Sequence, residues 1–308
     1  MKNNTITVMG SFVVDLMART PHLPVKGETV KGSTFKIGPG GKGSNQGVAA
    51  KRAGANVVMI SKIGMDEFGD IAIKSFEKEG IDTKYIFKDD TNPTGAALIM
   101  VDENTSENEI VVTLGACNNI TSSDIESVRE SIEDSKVFLT QLETNVDAVE
   151  KAVDIAYKSD VKVILNPAPV QEIPDEIMKK VYILTPNEVE ASILSGIQVN
   201  DVEDAKKAAK VLMDKGAKNV IITLGSKGAL VVTEEKTEFI ESIKVNAVDT
   251  TGAGDAYNGG LVTALAEEKN IFEAAKFANA VAALSVTKIG TAPAMPYREE
   301  INSLLLNQ

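Results

Sequence analysis

The chain has one cysteine, Cys117, one histidine, His22, and no tryptophan. A single thiol excludes an intramolecular disulfide framework and any zinc site built on several thiolates. A single imidazole excludes a histidine-rich metal cluster, and a Ser-His-Asp triad would rest wholly on His22. Positive charge is also scarce: 32 Lys and Arg stand against 44 Asp and Glu, a formal net charge of −12. Nucleic acid and anionic membranes require a basic face, so neither is expected as a partner. Long apolar runs are missing too. The opening stretch from Met1 to Met17 carries one lysine and reaches Asp15 after a short apolar piece, so it reads as neither a signal peptide nor a spanning helix. The run from Ala280 to Val286 is too short to cross a bilayer. What remains is 308 residues, 43% hydrophobic, with 23 Gly and 10 Pro. That is long enough for an ample core and has the composition of a soluble, cytoplasmic enzyme with an acidic surface.

Short β-branched runs alternate with longer helical periodicities, which predicts an α/β fold with a mostly parallel sheet. Thr5 to Met9 reads as a first strand. Val57 to Ile60, Val137 to Leu139, Val161 to Leu165, Ile183 to Leu184 and Val220 to Thr223 read as strands apolar on both faces. Val146, Val149, Val153 and Ala156 share one helix face, as do Val202, Ala205, Ala209 and Leu212 ahead of a C-capping Gly216. Asp201 to Asp204 reads as a helix start, with Lys206, Lys207 and Lys210 on its solvated face. Two segments break the rhythm: residues 16–37, with Pro21, Pro24 and Gly27, and residues 95–114, two apolar runs around DENTSENE that read as a hairpin. Inserted strands of this kind predict a small accessory sheet on a single domain spanning residues 1–308. His22, among these strands, reads as a surface or hinge residue, and Cys117 as a small hydrophobe.

Two glycine clusters carry the chemistry. The first, Gly38 to Ala50, formally contains G-x-G-x-x-G, but the strand before it is irregular and Pro39 sits inside the turn. Gly43 after Lys42 excludes a Walker A loop. A glycine turn feeding a helix, with Lys42 and Asn45 pointing from it, suits a hydroxyl-rich ligand or an anion; a tight turn with a solvated lysine is the plain alternative. The second cluster, Ala247 to Gly260, has a small-residue turn from Thr250 to Gly254 and a helix beginning near Asp255. Amides at Gly252, Ala253 and Gly254 would form an anion hole where a γ-phosphoryl group gathers charge. Asp255 reads either as a cap-region acid or as the acceptor of a proton from an attacking hydroxyl.

Gly40-Gly41-Lys42-Gly43-Ser44-Asn45 and Asp249-Thr250-Thr251-Gly252-Ala253-Gly254-Asp255 resemble the two signatures of the ribokinase (phosphofructokinase-B type) carbohydrate kinases. The similarity runs from Gly10-Ser11 to Pro296-Tyr297-Arg298-Glu299-Glu300, through Gln141-Leu142-Glu143, Asn166-Pro167-Ala168-Pro169, Thr185-Pro186-Asn187-Glu188 and Thr223-Leu224-Gly225-Ser226-Lys227-Gly228. It is strongest to the ribokinase and deoxyribokinase branch. The resemblance implies a central sheet flanked by helices and a β-sheet lid that clasps the lid of a second subunit, hence a homodimer. It implies Asp255 as base for the sugar's O5 hydroxyl and the Gly252, Ala253 and Gly254 amides as cradle for the phosphoryl group. Asp15, Gly41, Lys42, Asn45 and Glu143 would bind the sugar. Thr223, Leu224, Gly225, Ser226, Lys227, Gly228, Asn187, Gly254 and Asn279 would line the ATP site. Asn187 and Glu190 would organise Mg²⁺ through water, and Asp249, Thr251, Ser285, Lys288 and Gly290 would hold an activating K⁺. Ala294 stands where ribokinases often have a further polar ligand, which bears on the strength of any potassium effect.

One departure concerns the substrate. Ribokinases typically read Gly-Ser-x-Asn-x-Asp where this chain has Gly10-Ser11-Phe12-Val13-Val14-Asp15. In the family that asparagine faces the C2 side of the sugar, and deoxyribokinases carry an apolar residue there. A ribose hydroxyl buried against Val13 would lose a partner at roughly 1–3 kcal/mol, whereas 2-deoxyribose would lose nothing; alternatively, Val13 only packs under the strand. The expectation is an ATP-dependent pentose kinase acting on 2-deoxyribose and/or ribose. Alternatives are a kinase for another sugar, a sugar phosphate or a nucleoside, and, from another class, a non-catalytic sugar-binding regulator. A nicotinamide-dependent dehydrogenase is the reading of the G-x-G-x-x-G match alone.

Overall fold

The computed structural model describes residues 4–105 and 107–307. Its larger sheet has nine strands in the spatial order Thr237–Glu241, Gly228–Val232, Asn219–Thr223, Ile183–Leu184, Lys162–Leu165, Val137–Thr140, Thr5–Met9, Asn56–Gly64 and Ile86–Asp89. The first two pair antiparallel and the rest parallel. Successive residues of the central strands feed opposite cores, as a sheet covered on both faces requires. Val137, Leu139 and Ile221 join Val48, Leu261 and Val281 on one side. Phe138, Val220 and Ile222 join Val149, Val153 and Leu212 on the other. The predicted helices are present as Val146–Lys158 and Val202–Asp214, the second capped by the Asp201 side chain on the Asp204 amide. Among the described residues, no helix is long and apolar enough to cross a membrane.

Four strands form a second sheet in the order Thr34–Gly40, Val13–Thr20, Thr94–Asp102 and Asn108–Gly115. The hairpin predicted over 95–114 is the last pair. The inserted segments are longer than their sequence suggests, because pairing extends to Val13 with Gly40 and to Thr94 with Gly115. Pro39, expected within a turn, instead pairs opposite Val14 on an edge strand, where a missing amide is tolerated. Leu16, Ile37, Leu98 and Val111 form one register row. The last three, with Phe35, are more than half exposed. Asp15 and its row, Gly38, Ala97 and Val112, point to the opposite face.

Candidate active site

The first glycine cluster brings a helix end into backbone contact with the first strand's exit. Gly41, at φ 90°, precedes the helix Lys42–Arg52, and a Cβ there would stand 2.9 Å from the Ser11 carbonyl and the Val13 amide. A Cβ on Gly43 would stand 2.6 Å from Gly10 Cα and Ser11 N. This approach delivers the Lys42 amide to Glu143 Oε2 at 3.0 Å, an oxygen that also accepts from the Ser11 hydroxyl. The Asp15 carboxylate lies over Gly40. Val13 is buried, its Cγ1 packed against Gly95.

The second cluster starts the helix Ala253–Ala266, with Gly252 at φ 76° as N-cap. The Ala253 amide closes a turn to the Thr250 carbonyl. The Gly252, Gly254 and Asp255 amides meet no acceptor among the described residues, and a Cβ on Gly254 would meet nothing within 4 Å. Bare amides at a positive helix end facing open space have the chemistry to receive an anion. Asp255 does not cap its own helix. Its buried carboxylate accepts from Asn45 Nδ2 at 3.0 Å and Gln46 Nε2 at 2.9 Å, which leaves Asn45 Oδ1 buried and unpartnered. The two helices can cross this closely because Gly259 lies directly against Ala49.

Electrostatics knit the two clusters together. Burial, then the charges of Glu143 and Asp255, push Asp15 up to about 6. Burial also raises Asp255, against the opposing pull of Lys42 and the amide bonds from Gln46 and Asn45. Lys42 is held above the usual lysine value: burial works against it, but Asp255, Glu143 and Glu190 outweigh that.

The remaining predicted residues form two further groups. Thr223 bridges to Asn187 at the strand ends, and Leu224 to Gly228 fold into a short 3₁₀ turn. Asn279 Nδ2 reaches the Glu241 carbonyl at 3.1 Å. Asn187 and Glu190 form a reciprocal capping box on the helix Glu188–Ser195, using Asn187 Oδ1 and Glu190 Oε2. Glu190 is raised by burial, countered in part by its own Asn187 amide bond and by Lys42, so it faces the same centre. In the loop beyond, burial works against Asp249, yet amides of Gly290 and Thr251, both at 2.9 Å, hold its carboxyl below the ordinary range. The Ser285 hydroxyl turns to the Ala282 carbonyl, and Lys288 pairs with Glu300. Among the described residues no three His, Cys, Asp or Glu side chains cluster as a metal site.

The profile of the pfkB family carbohydrate kinases matches residues 3–298. The ribokinase of Haemophilus influenzae is 46% identical, over 96% of this chain and 96% of its own length. The chain belongs to the pfkB family of carbohydrate kinases. As a pfkB-family kinase it is a phosphotransferase. A deoxyribokinase of Salmonella typhi is 38% identical, over 97% of this chain and 98% of its own. The solved structure of Arabidopsis thaliana ribokinase, complexed with ribose and ATP, superposes on this pfkB kinase with a TM-score of 0.91 at 28% identity, covering 99% of each chain.

Sequence reasoning assigns no role in this pfkB kinase to Gln46, Gln141, Asn166 and Asn258. All four are buried around Asp255. The available signal is a carboxamide beside an otherwise apolar strand, as Gln141 follows Val137–Thr140.

Proposed function

We propose that this kinase is a cytoplasmic enzyme that transfers the γ-phosphoryl group of ATP to O5 of 2-deoxyribose and/or ribose. The observation that carries the proposal is the Asp255 carboxylate, buried and aligned by Asn45 and Gln46, in the same first helical turn as amides with no acceptor of their own. Asp15, Gly41, Lys42, Asn45 and Glu143 bind the pentose; the carboxylates accept hydrogen bonds from its hydroxyls, Lys42 donates to them and Asn45 offers its unpartnered Oδ1 as an acceptor. Asp255 takes the proton of the attacking hydroxyl as its oxygen meets the terminal phosphorus. The Gly252 and Gly254 amides receive the charge that develops on the phosphoryl oxygens, and the Ala253 amide joins them if it leaves Thr250. Asn187, Thr223, Leu224, Gly225, Ser226, Lys227, Gly228 and Asn279 hold the nucleotide.

ATP brings Mg²⁺, which would neutralise phosphate charge. Glu190 Oε1, left over from the capping box, fits that ion through water, since so small and hard a cation keeps most of its shell. Asp249, Thr251, Ser285, Lys288 and Gly290 offer oxygen donors suited to K⁺, although both Asp249 oxygens already accept amides and Ala294 adds no ligand. The small sheet acts as a lid. Its outward apolar face, with Phe35, Ile37, Leu98 and Val111 exposed, supports a homodimer in which a second lid covers it.

Val13 favours the deoxy sugar, because its side chain can serve no C2 hydroxyl. An ATP-coupled assay across ribose, 2-deoxyribose, fructose 6-phosphate and adenosine, with and without K⁺, tests the reading. Turnover is expected with the pentoses, and a ribose preference above about tenfold in kcat/KM discards the deoxyribose leaning. Asp255→Asn should lower kcat by about 10²–10⁴-fold with ATP binding retained; near-normal turnover removes the base assignment.

A further inference from the structure

Behind the proposed base runs a chain of buried neutral side chains, none of them assigned above to the sugar or the nucleotide. Gln46 Nε2 donates both to Asp255 Oδ1, at 2.9 Å, and to Asn166 Oδ1, at 3.0 Å. Gln141 Nε2 donates to Gln46 Oε1 at 2.6 Å. Asn166 Nδ2 donates to the Thr185 carbonyl at 3.1 Å, and the Thr185 hydroxyl donates to Asn258 Oδ1 at 2.7 Å. Asn258 Nδ2 donates to the Gly254 carbonyl at 2.9 Å, back in the first turn of the helix that carries Asp255. Gln46 and Gln141 are both fully buried. Burying a glutamine is costly unless its amide is bonded; Gln46 has both its ends bonded, whereas Gln141 spends its NH₂ group on Gln46 and has no partner for Oε1 among the described residues.

The direction of the bonds matters. A carboxamide can turn either end toward a neighbour. Because Gln141 donates to Gln46, the Gln46 oxygen faces Gln141 and its NH₂ group faces Asp255. We propose that Gln46, oriented by Gln141, is a positioning residue for phosphoryl transfer, holding the Asp255 carboxylate in the one orientation from which it meets the sugar hydroxyl. The proposal rests on the assignment of Asp255 as base. The charged groups around that carboxylate are Lys42 from the first helix, Asp15 from the small sheet, Glu143 beyond the strand Val137–Thr140, and Glu190 from the helix Glu188–Ser195. Lys42 alone among them is positive. Gln46 adds a donor that favours the ionised carboxylate without adding another titrating proton.

The test is Gln46→Leu in the full-length enzyme, assayed with ATP and the better pentose, beside Asp255→Asn and the double variant. Gln46→Leu should lower kcat by about 10–100-fold with both KM values within about threefold. The acid limb of its kcat–pH profile should move to higher pH. On the Asp255→Asn background the substitution should change residual turnover less than about twofold, because its effect passes through that carboxylate. Gln141→Leu should give a smaller change of the same kind, and it carries the same measurements if Gln46→Leu does not fold. An unchanged kcat and acid limb overturns the proposal. So does a lowered Tm with raised KM and an unmoved acid limb, or a loss that persists in full without Asp255. If Asp255→Asn turns over normally, the base assignment falls and this inference with it; if Asp255→Asn is inactive while Gln46→Leu behaves like the parent, this inference alone falls.

Discussion

The two glycine turns look alike in sequence and differ in what their glycines are for. In the first, Gly41 and Gly43 are small because backbone presses on them: Ser11, Val13 and Gly10 stand where a Cβ would go. In the second, Gly254 faces open space, and its amide and those of Gly252 and Asp255 are bare among the described residues. Glycine in one turn permits packing; in the other it leaves room for a ligand. The same residue type thus does structural work at the proposed sugar end and leaves space at the proposed phosphate end.

Substitutions separate these roles. Gly43→Ala should cost roughly 3 kcal/mol or more, because a methyl would collide with main chain rather than with a side chain that can move; denaturant unfolding measures it, and a loss below about 1 kcal/mol would erase the distinction. Gly254→Ala should leave Tm within a few degrees, since a methyl there meets nothing within 4 Å, but lower kcat by roughly 10²-fold if that space takes the phosphoryl group, as proposed. Equal damage to stability and turnover would show that both turns are packing devices.

The smallest effect concerns Asp15, over Gly40 of the first turn. Its carboxyl is raised to about 6 from 3.8. Folded protein therefore binds this proton more tightly than unfolded chain, so stability falls as pH rises from about 4 to 6 and stays lowered above. Asp15→Asn should accordingly raise stability at pH 7.5 by roughly 2 kcal/mol, with the gain vanishing below about pH 4, while sugar KM rises steeply. Unfolding curves at the two pH values check the sign. A gain independent of pH would show that the ionised carboxylate is not what destabilises the folded state.

The large sheet is legible in sequence because its central strands are apolar on both faces, as Val137–Thr140 and Asn219–Thr223 are. Gly228–Val232 and Thr237–Glu241 are harder to read: the first, though buried throughout, follows directly on a turn motif, and the second is a polar edge. Ile86–Asp89 is only four residues long. At the site, Asp255 stands out because its acid and its glycine turn are neighbours in the chain. Gln46 does not: its partner lies 209 residues away, and a lone glutamine in a glycine-rich helix reads as polar surface. Long-range bonds between neutral amides leave no periodic trace.

The contact of Gly259 with Ala49 carries a consequence for engineering. It welds the helix bearing Lys42 and Asn45 to the helix bearing Asp255, so half of the proposed sugar site and the proposed base travel as one rigid piece. Tuning for a new acceptor is therefore best sought on the proposed opposite wall, at the side chains of Val13 and Asp15, whose strand takes no part in that joint.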